Sequence, residues 1–173
     1  MAKSVIGIVD SRATIETIVD RLRVAGFTGD NISVLLPDTS GTKDFAHQHA
    51  TKAPEGTTAG VSLGGLAGGT VGYLAGIGAL TIPGIGPLLA AGPILAGLSG
   101  AAVGGAVGGI TGALIGMGIP EYEAKQYAGK VKEGKILVSV HTTNRDQVQT
   151  AKAVLNEAGA SDVSTAGEAS VGR

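Results

Sequence analysis

The chain contains no cysteine and no tryptophan, and its 173 residues include only three tyrosines and two phenylalanines. Without thiols there is neither a disulfide framework nor thiolate chemistry, which suits a reducing compartment. Aromatic residues at 3% supply neither a base-stacking surface nor a populated membrane-interface belt. No sign of charge predominates either. Thirteen basic residues face fourteen acidic ones, for a net charge of -1, so the electrostatic footprint of a nucleic-acid binder is missing. The opening apolar run, broken at Asp10, lacks the longer core and cleavage site of a secretory signal.

The most informative absence is local. From Gly56 to Pro120 the chain runs for 65 residues without a charged side chain, and 21 of its 30 glycines fall there. They recur every four residues at Gly60, Gly64, Gly68, Gly72 and Gly76, and again at Gly100, Gly104, Gly108, Gly112 and Gly116. Positions four apart share one helix face, so each run predicts a groove into which another helix backbone can settle. The spacing predicts one helix from Thr57 to Leu80 and a second from Pro93 to Ile119. These would be roughly 36 and 40 Å long, enough for a hydrocarbon layer of about 30 Å. Between them Pro83, Gly84, Gly86, Pro87 and Pro93 predict a reversal. Each interior glycine costs about 0.8–1 kcal/mol of helix stability, so such helices need neighbours. Three states fit the segment: a membrane-inserted hairpin, a soluble homo-oligomeric cage or filament with buried hairpins, and glycine-rich disorder.

The flanks read as two halves of one small α+β domain. Val5, Ile6, Ile8 and Val9 predict a buried strand, and Asp10-Ser11 ends it while offering a helix N-cap. Ile15, Ile18, Val19 and Leu22 form a helical apolar stripe, with Gly26 as left-handed cap and a second strand from Asn31 to Leu36. The far flank repeats the plan. A strand from Lys135 to His141 carries Ile136, Val138 and Val140 on one face. A helix follows, capped by Asn144 and Gln147 and striped by Val148, Ala151 and Leu155, and a weaker last strand begins at Asp162-Val163. Two βαβ halves predict a ferredoxin-like sandwich, four antiparallel strands with two helices on one face, interrupted by the glycine-zipper hairpin. Pro120 fits the first position of a linker helix with Glu121 and Glu123 at its start. The predicted organisation is a first βαβ half at 1–38, a polar linker at 39–55, the uncharged hairpin at 56–119, a linker helix with the second half at 120–168, and a tail at 169–173.

Candidate chemistry is sparse. No Lys-Ser or Lys-Thr follows the glycine run and no dinucleotide fingerprint is present. His47 and His49 supply two ligands without a third, and His141 stands at a strand end without an evident nucleophile. Catalytic, cofactor and metal residues are therefore expected to be absent, and no small-molecule substrate is identifiable. Tyr122 and Tyr127, near the exit of the hairpin, fit either a membrane-interface anchor or helix packing.

The run Ile82 to Pro93, then Gly118 to Tyr127 and Gly134 to His141, resembles the bacterial general stress proteins often called heat-induced or low-temperature-induced proteins, over about Val5 to Val163. The layout is also similar to that of a membrane-anchoring component of alternative complex III, in which a soluble domain carries a helical hairpin. The resemblance implies a stress-linked, non-enzymatic protein with no catalytic residues to carry over. Combined with the glycine ladders, it gives the expectation of a structural protein that self-assembles through them as a homo-oligomer. The bilayer is the expected partner, at a bacterial inner membrane with both termini in the cytoplasm; the alternatives are a soluble cytoplasmic assembly and a small-ligand or regulatory module that the hairpin merely tethers.

Overall fold

The computed structural model describes residues 3–37, 77–82, 86–92, 94 and 109–167. Among these residues six strands and four helices stand in the order β1 (Lys3–Val9), α1 (Arg12–Val24), β2 (Ile32–Pro37), β3 (Ile77–Ile82), β4 (Gly86–Ala91), α2 (Gly109–Gly116), α3 (Glu121–Lys132), β5 (Ile136–Thr142), α4 (Arg145–Glu157) and β6 (Ser161–Gly167). A short 3-10 turn, Gly29–Asn31, leads into β2. The strands form one sheet ordered β3-β4-β2-β5-β1-β6, in which each neighbouring pair is antiparallel.

Strand alternation divides the interior into two cores. Val5, Val9, Ile32, Val34, Ile136, Val138 and Val140 pack against the predicted stripe of α1, Ile15, Ile18, Val19 and Leu22, and against Ala151 and Leu155 of α4. The alternate residues Ile6, Ile8, Leu35, Leu88, Ala90 and Leu137 face Ile110 and Leu114 of α2 and Ala124, Tyr127 and Val131 of α3. Helices therefore cover both faces of the sheet, which has six strands rather than the four expected.

Local chemistry explains the helix ends. Ser11 accepts the Thr14 N–H and Asn144 accepts that of Gln147, as N-caps should. The Gln147 side chain reaches the N–H of Thr143 rather than that of Asn144, so the expected reciprocal box closes one residue early. The four described helices end alike. The N–H groups of Phe27, Ile119, Lys135 and Ala160 bond carbonyls five residues back, behind left-handed Gly26, Gly118, Gly134 and Gly159, the arrangement of a Schellman motif. Pro120 is the N-cap of α3 rather than its first helical residue.

The middle of the uncharged segment departs from the expected helices. Ile77–Leu80 belong to β3, and Gly86 and Pro87, expected in the turn, stand in β4. The chain reverses between Ile82 and Gly86, which face each other in an uninterrupted register reaching Ile77 and Ala91. Two forces favour strand here. Ile77, Thr81 and Ile82 are β-branched, and β2 offers a free edge that β4 fills from Val34↔Ala91 to Pro37↔Leu88. Pro87 lies one residue past the end of the ladder with β2, while on the other side of β4 it stands opposite Thr81 of β3.

Candidate functional site

Where the uncharged segment joins the domain is the arrangement most relevant to function. The middle of the segment, β3 and β4, is welded to the edge of β2, and near its end α2 buries Ile110 and Leu114 in the core shared with α3. Beyond β4, Gly92 takes φ +81 and crosses the start of β2 so closely that a Cβ would run into the Ile32 carbonyl oxygen. Two residues on, the Ile94 N–H donates to the buried hydroxyl of Ser33 at 3.2 Å.

The predicted packing glycines divide. Gly60, Gly64, Gly68, Gly72, Gly76, Gly100, Gly104 and Gly108 lie outside the described residues, as do Pro83, Gly84 and Pro93. Gly112 and Gly116 are on α2. Gly116 is exposed, and among the described residues a Cβ on it would meet nothing within 4 Å. Among the described residues no helix is long and apolar enough to cross a membrane.

A polar cluster clamps α3, which follows this segment, to the sheet. The Tyr127 hydroxyl donates to the Asp162 carbonyl and lies 2.7 Å from Ser164 Oγ, which itself donates to Glu123 at 2.9 Å. Lys130 pairs with the Asp162 carboxylate at 2.5 Å, and Gln126 donates to its other oxygen at 3.1 Å. Burial pushes the Tyr127 phenol above its ordinary pKa, the hydrogen bond with Ser164 opposes that, and Glu123 and Asp162 add to the rise. Tyr127 is thus a helix-packing residue, 2% exposed, whereas Tyr122 is 80% exposed. No sequence signal separates the two except the helical stripe, which places Ala124, Tyr127 and Val131 on one face of α3.

The same sheet face carries buried Ser4, Ser33 and Ser139. Ser4 Oγ lies 3.0 Å from Nδ1 of His141, the residue directly across the β1–β5 ladder. This gives the histidine a hydroxyl neighbour that the sequence did not reveal, but Ser4 is 1% exposed and inside a strand, so the pair acts as a cross-strand hydrogen bond. His47 and His49 lie outside the described residues. Among those described, no group of three or more histidine, aspartate and glutamate side chains could hold a metal ion. No family model, curated protein or solved structure matches the chain.

Proposed function

We propose that this is a non-enzymatic, stress-associated structural protein that self-assembles through its glycine-periodic segment, at a bilayer or as a soluble assembly of buried hairpins. Within it, β1, α1, β2, β5, α4 and β6 constitute a ferredoxin-like unit, and β3, β4, α2 and α3 belong to an insertion between its halves. The order β2-β5-β1-β6 supports that reading of the fold.

The observation that carries the functional reading is the covering of both sheet faces. A ligand-binding module of this plan needs the sheet face opposite α1 and α4, and that face is packed against Tyr127, Val131, Ile110 and Leu114. The sheet serves as a mount for the segment that enters and leaves it. Glycine-rich helices that are weak alone gain stability from close neighbours, and among the described residues nothing stands within 4 Å of a Cβ at Gly116.

The test is the double variant Gly68→Leu, Gly108→Leu of the full chain, followed by sedimentation and circular dichroism. Self-assembly through the ladders requires the assembly to dissociate while the sheet signal persists. An assembly of unchanged mass would overturn the reading. Carbonate washing of membranes separates its two forms: resistant pelleting marks insertion, and a detergent-independent particle marks the soluble assembly.

A further inference from the structure

A sheet that does not close has two edges, and this one treats them differently. At β6 the register with β1 is broken: Ile6 faces Ser164 and Ile8 faces Ser161, so Asp162 and Val163 bulge against Gly7. Asp162 has φ +51, its carboxylate is held by Lys130 and Gln126, and its carbonyl accepts from Tyr127. Bulges, charges and covering side chains are the devices by which proteins keep edges from pairing.

The opposite edge, β3, is built differently. β3 reads Ile-Gly-Ala-Leu-Thr-Ile, with no charge and no proline, and it pairs with β4 over all six residues without a bulge. Among the described residues no strand lies on its outer side, toward which alternate backbone N–H and C=O groups of β3 point.

We propose that β3 is a dimerisation edge at which two copies of this chain pair antiparallel, β3 against β3, joining their sheets. Three observations select a second copy. An edge meeting its own counterpart must oppose no like charges, and β3 is neutral along its whole length. The chain's other edge, bulged and held by α3, offers β3 no matching ladder. The geometry also closes: antiparallel copies are related by a two-fold axis perpendicular to the sheet. Because successive residues point to opposite faces, that axis must pass at a residue, so one residue meets its own counterpart and its two neighbours meet each other. The registers that retain the longest ladder centre on Ala79, setting Ile77 opposite Thr81, or on Leu80, setting Ala79 opposite Thr81. This contact is independent of the glycine ladders.

The native chain has no cysteine, so a single introduced thiol reports the contact directly. Full-length Ala79→Cys, Leu80→Cys and Thr81→Cys are treated with the thiol-bridging reagent dibromobimane, with Val24→Cys, at a position 90% exposed on α1, as reference. Either Ala79→Cys or Leu80→Cys forms covalent dimer at least tenfold faster than the other positions. Equal rates at all three, or none above the reference, would overturn the proposal. Repeating the reactive variant with Gly68→Leu and Gly108→Leu separates the two contacts. Bridging that persists after the ladders are disrupted supports the edge, and bridging lost with them assigns it to the ladder assembly and rejects the edge.

Discussion

The Tyr127 hydroxyl donates a 2.7 Å hydrogen bond to the backbone carbonyl of Asp162, tying the middle of α3 to the edge strand β6. Replacing Tyr127 with Phe keeps the ring in the core and leaves that carbonyl and Ser164 without the hydroxyl. The expected cost is about 1–2 kcal/mol, read as a lower denaturant midpoint with an unchanged slope. A midpoint equal to the parent's would show that the clamp contributes nothing.

The same phenol has a pKa raised by burial. Its neutral form is favoured in the fold, so its contribution is complete below the unfolded value near 10.0 and is lost as pH rises through the higher folded value. Unfolding of the parent between pH 9 and 11 should therefore show a steeper loss of stability than unfolding of Tyr127→Phe. Parallel curves would contradict it.

Asp10 and Lys135 form an ion pair at 2.7 Å. The hydrogen bond from Lys135 and its charge hold Asp10 below its ordinary 3.8, and Asp10 raises Lys135 above 10.5 in return. The aspartate's contribution is present above 3.8 and lost as pH falls through its lower folded value; the lysine's is present below 10.5 and lost as pH rises through its higher one. Asp10 is exposed and Lys135 half-exposed, so solvent screens the pair. The sensitive reading is therefore the carboxyl carbon shift of Asp10, whose midpoint should move upward in Lys135→Met. An unmoved midpoint would count against the pair.

Gly92 combines φ +81 with a backbone contact that leaves no room for a Cβ against Ile32. Gly92→Ala must displace the chain where β4 crosses β2, with an expected loss of about 2–4 kcal/mol. Hydrogen exchange should show the damage first in the amides of Leu88 to Ala91. Protection equal to the parent's would mean that the crossing relaxes freely.

Gly7 is tight for a different reason. A Cβ there would sit 2.9 Å from Leu155 Cδ2 and 3.4 Å from Ala160 Cβ and Val163 Cγ2, beneath α4 and opposite the bulge of β6. Gly7→Ala should overpack this corner and cost about 1–3 kcal/mol. Adding Leu155→Val, which shortens the crowding side chain, should recover part of the loss. Failure of the pair to couple would relocate the strain.

The elements that were legible in the sequence are those with a polar face to contrast with the buried one. Ile15, Ile18, Val19 and Leu22 stood out against Glu16, Asp20 and Arg23, and all four are buried in α1. Ile136, Val138 and Val140 likewise point to a single core. In the uncharged segment that contrast vanishes. Leu88-Leu89-Ala90-Ala91 has neither period, so nothing local distinguishes strand from buried helix; the free edge of β2 decides, and that is a tertiary fact. The cover on the second sheet face was invisible for a related reason, since an α3 that could be read as a linker helix gave no sign of where its stripe would dock. The pairing of Ser4 with His141 needed the β1–β5 register, which joins opposite ends of the chain.

The place of β4 beside β2 also bears on the order of folding events. β2 is synthesised long before β5, its other neighbour, and Leu35 must wait for Leu137. β3 and β4 emerge sooner and pair with each other locally, so β2 can be zipped on its outer side while its inner side is still open. Distant pairings are what slow a domain's folding, and an early hairpin at this position shields one flank of a waiting strand from stray partners. The β3–β4 hairpin would then act on the nascent chain as a temporary chaperone built from the protein's own backbone.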